Sequence, residues 1–118
     1  MVSANDITID MFDVVGLIDV YGGTPTSIST TGFTINLYNY YGTLKDKQEV
    51  QGLVAADFDL YNVTDSAAVT ISTATETSSG TYAFTFTAQT SADVLRLSVD
   101  KNGYDSTIGL ETVVVTIP

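Results

Sequence analysis

The chain contains neither cysteine nor histidine. Without cysteine there is no disulfide framework and no thiolate metal site. Without histidine, the usual general base at neutral pH and the commonest metal ligand are both missing. Basic residues are scarce too: 4 Lys and Arg stand against 14 Asp and Glu, a net charge of −10. That balance repels phosphate backbones and argues against a nucleic-acid partner. It favours solubility and tolerates divalent cations. No apolar run is long enough to span a bilayer, so no membrane insertion is expected. Residues 1–20 lack the basic start of a signal peptide, so an exported protein would carry its signal elsewhere.

What remains is rich in Thr and Ser, which occupy the polar positions left by a charged fraction of only 15%. Threonine suits strands because its branched Cβ is already restricted at χ1 and packs on a pleated surface. Apolar and polar residues alternate at period two along nearly the whole length. Ile7, Ile9 and Met11 share one face; Phe33, Ile35 and Leu37 form the next. Phe58 and Leu60 follow, then Val69 and Ile71, then Tyr82, Phe84 and Phe86. Leu95, Leu97 and Val99 precede a last run of Val113, Val115 and Ile117, making seven strands in all.

Turn residues separate these runs: Gly22-Gly23-Thr24-Pro25, a polar connection from Tyr41-Gly42 to Gln51-Gly52, Asn62 to Ser66, and Ser78-Ser79-Gly80. Asn102-Gly103 reads as a tight turn between the last two strands, because both residue types tolerate positive φ. Only Leu53–Asp57 has the makings of a helical turn. Seven short strands with turns between them predict one all-β domain, a two-sheet antiparallel sandwich, with a small closed barrel as the alternative.

The order of the motifs is informative. Thr30-Thr31-Gly32-Phe33-Thr34-Ile35-Asn36-Leu37 is followed by Gly52-Leu53-Val54-Ala55-Ala56-Asp57-Phe58-Asp59-Leu60. Gly80-Thr81-Tyr82-Ala83-Phe84-Thr85-Phe86 and Leu97-Ser98-Val99-Asp100-Lys101-Asn102-Gly103-Tyr104-Asp105 come next. Over residues 28–117 this succession resembles bacterial immunoglobulin-like surface repeats. The resemblance implies an Ig-like sandwich acting as a stalk, spacer or adhesive module, with no shared catalytic residues. Similar domains also decorate phage capsids and tails. Residues 1–23 fit least well: Asp13–Val20 reads as a bulged first strand or as a segment pairing with a neighbouring copy. Gly80-x-Tyr82-x-Phe84 echoes the G-x-Y-x-C of immunoglobulin domains, where the tyrosine hydroxyl ties a corner and the cysteine joins the sheets. Here Phe84 stands in the cysteine's place, so packing replaces the bridge.

Carboxylates are the only abundant reactive groups. Asp57 and Asp59 lie two apart, facing one side of a strand, and Asp100 and Asp105 flank the Asn102-Gly103 turn. Such oxygen-rich loops are candidate Ca²⁺ ligands, although no Asp-x-Asp-x-Asp-Gly signature is present. The competing reading is a solvated acidic face that discourages strand-to-strand aggregation. Paired acids also serve glycosidases, but nothing in the sequence indicates a cleft, and the Ser and Thr residues have no activating base. The chain is therefore expected not to be an enzyme and to need no cofactor.

Tyr38, Tyr40 and Tyr41 cluster beside Asn36 and Asn39. If Ile35 and Leu37 are core, period two sends Tyr38 and Tyr40 outward together. Tyrosines with amides suit sugar recognition, although the absence of Trp weakens that case. The alternative is a packing cluster or a contact with an adjacent domain. Lys45, Lys47 and Lys101 read as loop residues, unsuited to a buried Lys–Asn cross-link, and Asn62-Val63-Thr64 is a glycosylation sequon.

Three functions remain. The first is a bacterial or archaeal surface or secreted module contacting neighbouring Ig-like domains or other proteins, extracellular or on the cell surface. The second is a virion component assembling as a homo-oligomer or on a lattice, which the initiating Met and missing export signal suit. The third is a carbohydrate-binding module using Asn36, Tyr38, Tyr40 and Tyr41.

Overall fold

A computed structural model of the chain describes residues 17–41 and 46–118, with the side chains of Tyr41 and Asp46 outside that set. The expected strand at Ile7, Ile9 and Met11, residues 13–16, and Lys45 lie outside the described residues. Among those described, β1 (Ile18–Asp19), β2 (Tyr21–Gly22) and β3 (Thr26–Ser29) lead to the long β4 (Gly32–Tyr41) and β5 (Asp46–Glu49). A 3-10 turn (Ala55–Asp57) precedes β6 (Phe58–Asn62), β7 (Ala67–Val69), β8 (Ile71–Ser78), β9 (Thr81–Phe86) and β10 (Val94–Val99). β11 (Tyr104–Asp105), a second 3-10 turn (Leu110–Thr112) and β12 (Val115–Thr116) complete the order.

Two antiparallel sheets result. One runs β2-β4-β9-β8, with β3 and β5 also on β4; the other runs β12-β10-β6-β7. Their inner faces are the period-two apolar sets of the sequence. Phe33, Ile35 and Leu37 of β4 and Tyr82, Phe84 and Phe86 of β9 are buried from one side. Phe58 and Leu60 of β6 and Leu95, Leu97 and Val99 of β10 meet them from the other. The Phe58 ring stands perpendicular to Phe84 at 4.8 Å and lies 5.7 Å from Tyr82, which joins the two sheets at the centre of the core. The fold is thus an all-β sandwich of two antiparallel sheets.

Several expectations change. Val69 and Ile71 do not share a strand: β7 pairs with β6 in one sheet, β8 with β9 in the other. The chain crosses between the sheets at Thr70, and so both side chains still turn inward. The turn at Asn102-Gly103, where Gly103 has φ +88°, leads into β11 and not into a hairpin with the last strand. β11 pairs in parallel with β1, so the described part of Asp13–Val20 docks on its own chain at Ile18↔Tyr104 and Asp19↔Asp105. Asp105 then turns the chain away, its Oδ1 accepting from Thr107 N at 2.9 Å and from Thr107 Oγ1 at 2.6 Å. Those bonds hold the Asp105 carboxyl below the usual range.

Tyr82 is wholly buried, yet its polar end is satisfied. The hydroxyl donates to Val50 O at 2.9 Å and accepts from Leu53 N at 3.2 Å, pinning the segment between β5 and the first 3-10 turn. Tyr82→Phe keeps the ring and strands both backbone groups. It is expected to cost about 1–3 kcal/mol, read as a lower urea midpoint at unchanged m-value. Burial pushes the Tyr82 phenol above the usual tyrosine range, outweighing the Leu53 bond. Its contribution is therefore complete below the unfolded value of about 10 and lost as pH rises through the folded one. Tyr82→Phe should flatten that alkaline decline; an unchanged midpoint and pH profile would remove the tie from the account.

Candidate functional site: an aromatic sheet face

β4 is longer than the core it serves. Its first half pairs with β9 from Gly32↔Thr85 to Asn36↔Thr81, and its second half pairs with β5 from Tyr38↔Glu49 to Tyr41↔Asp46. Opposite β5, the short β2 adds Tyr21↔Tyr38. Since Phe33, Ile35 and Leu37 face inward, Tyr38 and Tyr40 face outward, as alternation predicts. Tyr21, directly across from Tyr38, must join them.

The three rings form one cluster. Tyr21 stacks on Tyr38 with centroids 6.0 Å apart and planes at 18°. Tyr40 meets Tyr21 edge-on at 5.4 Å and Tyr38 at 5.5 Å. Lys47, across from Tyr40 in register, reaches diagonally so that Nζ lies 4.6 Å from the Tyr38 centroid. A cation held over a ring face is attracted by its quadrupole. The Tyr38 phenol is raised above its usual range, first by burial, then by the charge and hydrogen bond of Tyr40 and the charge of Tyr21. Tyr40 is 44% exposed, so the cluster ends in an accessible aromatic surface.

Sequence reasoning missed Tyr21 and Lys47. Tyr21 belongs to a two-residue strand beside glycines, and Lys47 sits in Asp46-Lys47-Gln48-Glu49, which has no apolar alternation and reads as a loop. The only usable signal was the pairing geometry of β4, which exists once the fold does.

Asn36 shares the outward face but is committed to structure. Its Nδ2 donates to Glu49 Oε1 at 2.6 Å and to Gly80 O at 3.2 Å, linking β4, β5 and the β8–β9 turn. The Tyr41 side chain lies outside the described residues.

Of the four aspartates, Asp57 and Asp100 are joined through the backbone, Asp57 O accepting from Asp100 N at 2.7 Å. Two residues before Asp59 of β6, Asp57 closes the 3-10 turn. Its Oδ2 accepts from Val54 N at 2.9 Å, and its Oδ1 lies 3.4 Å from Lys101 Nζ. Asp59 is exposed on β6, and Asp100 is exposed just beyond β10. Asp105 is engaged by Thr107. Among the described residues, no three Asp, Glu, His or Cys side chains are grouped to hold a metal ion.

The sequon is enclosed as well. Asn62 is 1% exposed, its Nδ2 donating to Gln89 Oε1 at 2.8 Å and Asp93 Oδ2 at 2.9 Å. Thr64 Oγ1 accepts from Val94 N at 2.9 Å. In the folded chain these side chains hold a loop together and leave the Asn62 amide inaccessible to a modifying enzyme.

No protein-family model matches the chain, and no curated protein sequence is significantly similar to it.

Proposed function

We propose that the chain is a non-catalytic, immunoglobulin-like module of a bacterial or archaeal surface or secreted protein, a spacer that contacts neighbouring proteins through its tyrosine face. The observation that carries this reading is the cluster of Tyr21, Tyr38 and Tyr40 with Lys47 on the outer side of β4. These rings lie outside the space between the sheets, so the core gains nothing from them. Tyrosine supplies large contact area with few rotatable bonds and is enriched at the centres of protein interfaces.

The immunoglobulin-like assignment is supported by where the motifs fall. The Gly80-x-Tyr82-x-Phe84 run opens β9, with Tyr82 tying a corner through Val50 and Leu53. A non-catalytic role is supported by a sequence without His or Cys to act as base or nucleophile.

The test joins the chain to the domain encoded beside it in its reading frame and compares Tyr ring signals by NMR with those of the single domain. Signals of Tyr21, Tyr38 and Tyr40 are expected to shift in the two-domain protein, and Tyr40→Ala is expected to loosen the interdomain orientation. Ring signals identical in both forms, or a reading frame without an adjoining domain, would reject the proposal.

A further inference from the structure

The β4–β5 hairpin has a second face, and it carries different chemistry. Alternation puts Asn39 opposite to Tyr38 and Tyr40, on the side continuous with Leu37. Gln48 is its partner in register. Beneath them lies a pocket of about 170 Å³, whose lining includes Ile18, Asn39, Gln48, Val50, Gln51 and Tyr104. Four chain segments meet there: β1, the hairpin, the stretch after β5, and β11.

Its amides differ from three of those elsewhere in the fold. Asn36, Asn62 and Gln89 spend theirs on side chains and backbone of the fold. Asn39, Gln48 and Gln51 make no side-chain hydrogen bond to a described residue and converge on one concavity. Each presents two N–H donors and one carbonyl acceptor. Ile18, the edge of Val50 and Tyr104 add an apolar strip beside them.

We infer that this pocket binds a single neutral sugar ring, as a free unit or the end of a glycan. Neutrality follows from the lining. Among the described residues lining it there is no Lys or Arg, and the one acid, Glu49, has Oε1 held by Asn36 Nδ2. The net charge of −10 repels anions. Three amides offering both donors and acceptors suit a ligand with several hydroxyls, and the apolar strip suits the C–H face of a sugar. The size restricts it to one ring, since pockets for drug-sized ligands begin at about 300 Å³. The site is separate from the tyrosine face, being on the opposite side of the hairpin.

The test titrates the ¹⁵N-labelled full chain with N-acetylglucosamine, methyl glucoside and methyl galactoside in turn. At least one is expected to move the side-chain amide signals of Asn39, Gln48 and Gln51 with a dissociation constant on the order of 1–10 mM. Asn62, on another strand and enclosed, should not move. Gln48→Ala, at an exposed edge position, should weaken binding roughly five- to tenfold, the worth of about one hydrogen bond, with the thermal midpoint retained. The inference is overturned if none of the three signals moves up to about 100 mM of any sugar. It is equally overturned if the doubly substituted Asn39→Ala, Gln48→Ala chain binds unchanged, or if the shifts centre on Tyr40. A null titration leaves the tyrosine-face reading intact, because that test uses a joined domain and different residues.

Discussion

Phe84→Ala is expected to remove about 3–5 kcal/mol, the cost of deleting a fully buried aromatic side chain. A domain of this size has only about 5–15 kcal/mol of net stability, so the variant should be largely unfolded near its former melting temperature. The size of the effect follows from position. Phe84 is 1% exposed and meets Phe58 of the facing sheet at 4.8 Å and Phe33 of its own sheet at 5.3 Å. Perpendicular and tilted ring pairs at these separations contribute beyond their buried area, about 0.5–1.5 kcal/mol each. With no cysteine anywhere, no disulfide joins the sheets, and this aromatic contact lies where packing must do so. Urea unfolding followed by far-UV circular dichroism measures the loss. A loss below about 1.5 kcal/mol would mean that the sheets are joined chiefly elsewhere, since even well-tolerated core swaps reach that figure.

Those core positions were readable in the sequence because burial on one face writes itself as period two. Phe33-x-Ile35-x-Leu37, Tyr82-x-Phe84-x-Phe86 and Leu95-x-Leu97-x-Val99 are all buried at alternate residues. β8 was not readable beyond Ile71, for a physical reason. Among the described residues it is a sheet edge, paired only with β9, and its Ser-Thr-Ala-Thr-Glu-Thr-Ser run is exposed or half-buried on both faces. β5 was hidden likewise, since Asp-Lys-Gln-Glu has no apolar member and takes its strand form from pairing with β4. The sheet change at Thr70 left no mark, because Val69 and Ile71 keep the same alternation on either side of it.

The candidate site divides along the same line. Outward placement of Tyr38 and Tyr40 follows from Leu37 being core, so local periodicity sufficed. Tyr21 is 17 positions away and arrives only through strand pairing. The pocket on the other face needs β1, β11 and the hairpin at once, and no local pattern encodes that. Asn36 is a further case. Its type and neighbours suggested a ligand contact, whereas Glu49 and Gly80 already occupy its amide.

Gly80→Ala is expected to cost about 3 kcal/mol, at the top of the range for a non-glycine residue forced into the left-handed region. Gly80 has φ +72°, and two further glycines share that region, Gly52 at +82° and Gly103 at +88°. What separates them is space. A Cβ at Gly80 would lie 2.6 Å from Glu49 Oε1, 2.8 Å from Glu49 Cβ and 2.9 Å from Leu37 O. The Glu49 carboxylate can rotate away only by releasing Asn36, and Leu37 O is fixed by accepting from Val50 N at 3.0 Å. Leu37 N also donates to Gly80 O at 2.7 Å, so retreat of Gly80 breaks the joint between β9 and β5 along β4. Glu76 reinforces that joint, its two carboxylate oxygens accepting from Gly80 N at 2.9 Å and Gly52 N at 3.0 Å. These bonds hold the Glu76 carboxyl below its usual range, so its contribution is present above the unfolded value of about 4.3 and fades as pH falls through the folded one. At Gly52 and Gly103, by contrast, an added Cβ meets nothing within 4 Å. Gly52→Ala and Gly103→Ala carry only the backbone penalty, about 1 kcal/mol. Denaturant midpoints of the three variants, measured side by side, decide the matter. Equal losses at all three would show that φ alone sets the cost and that the β4–β5–β9 joint has room to give.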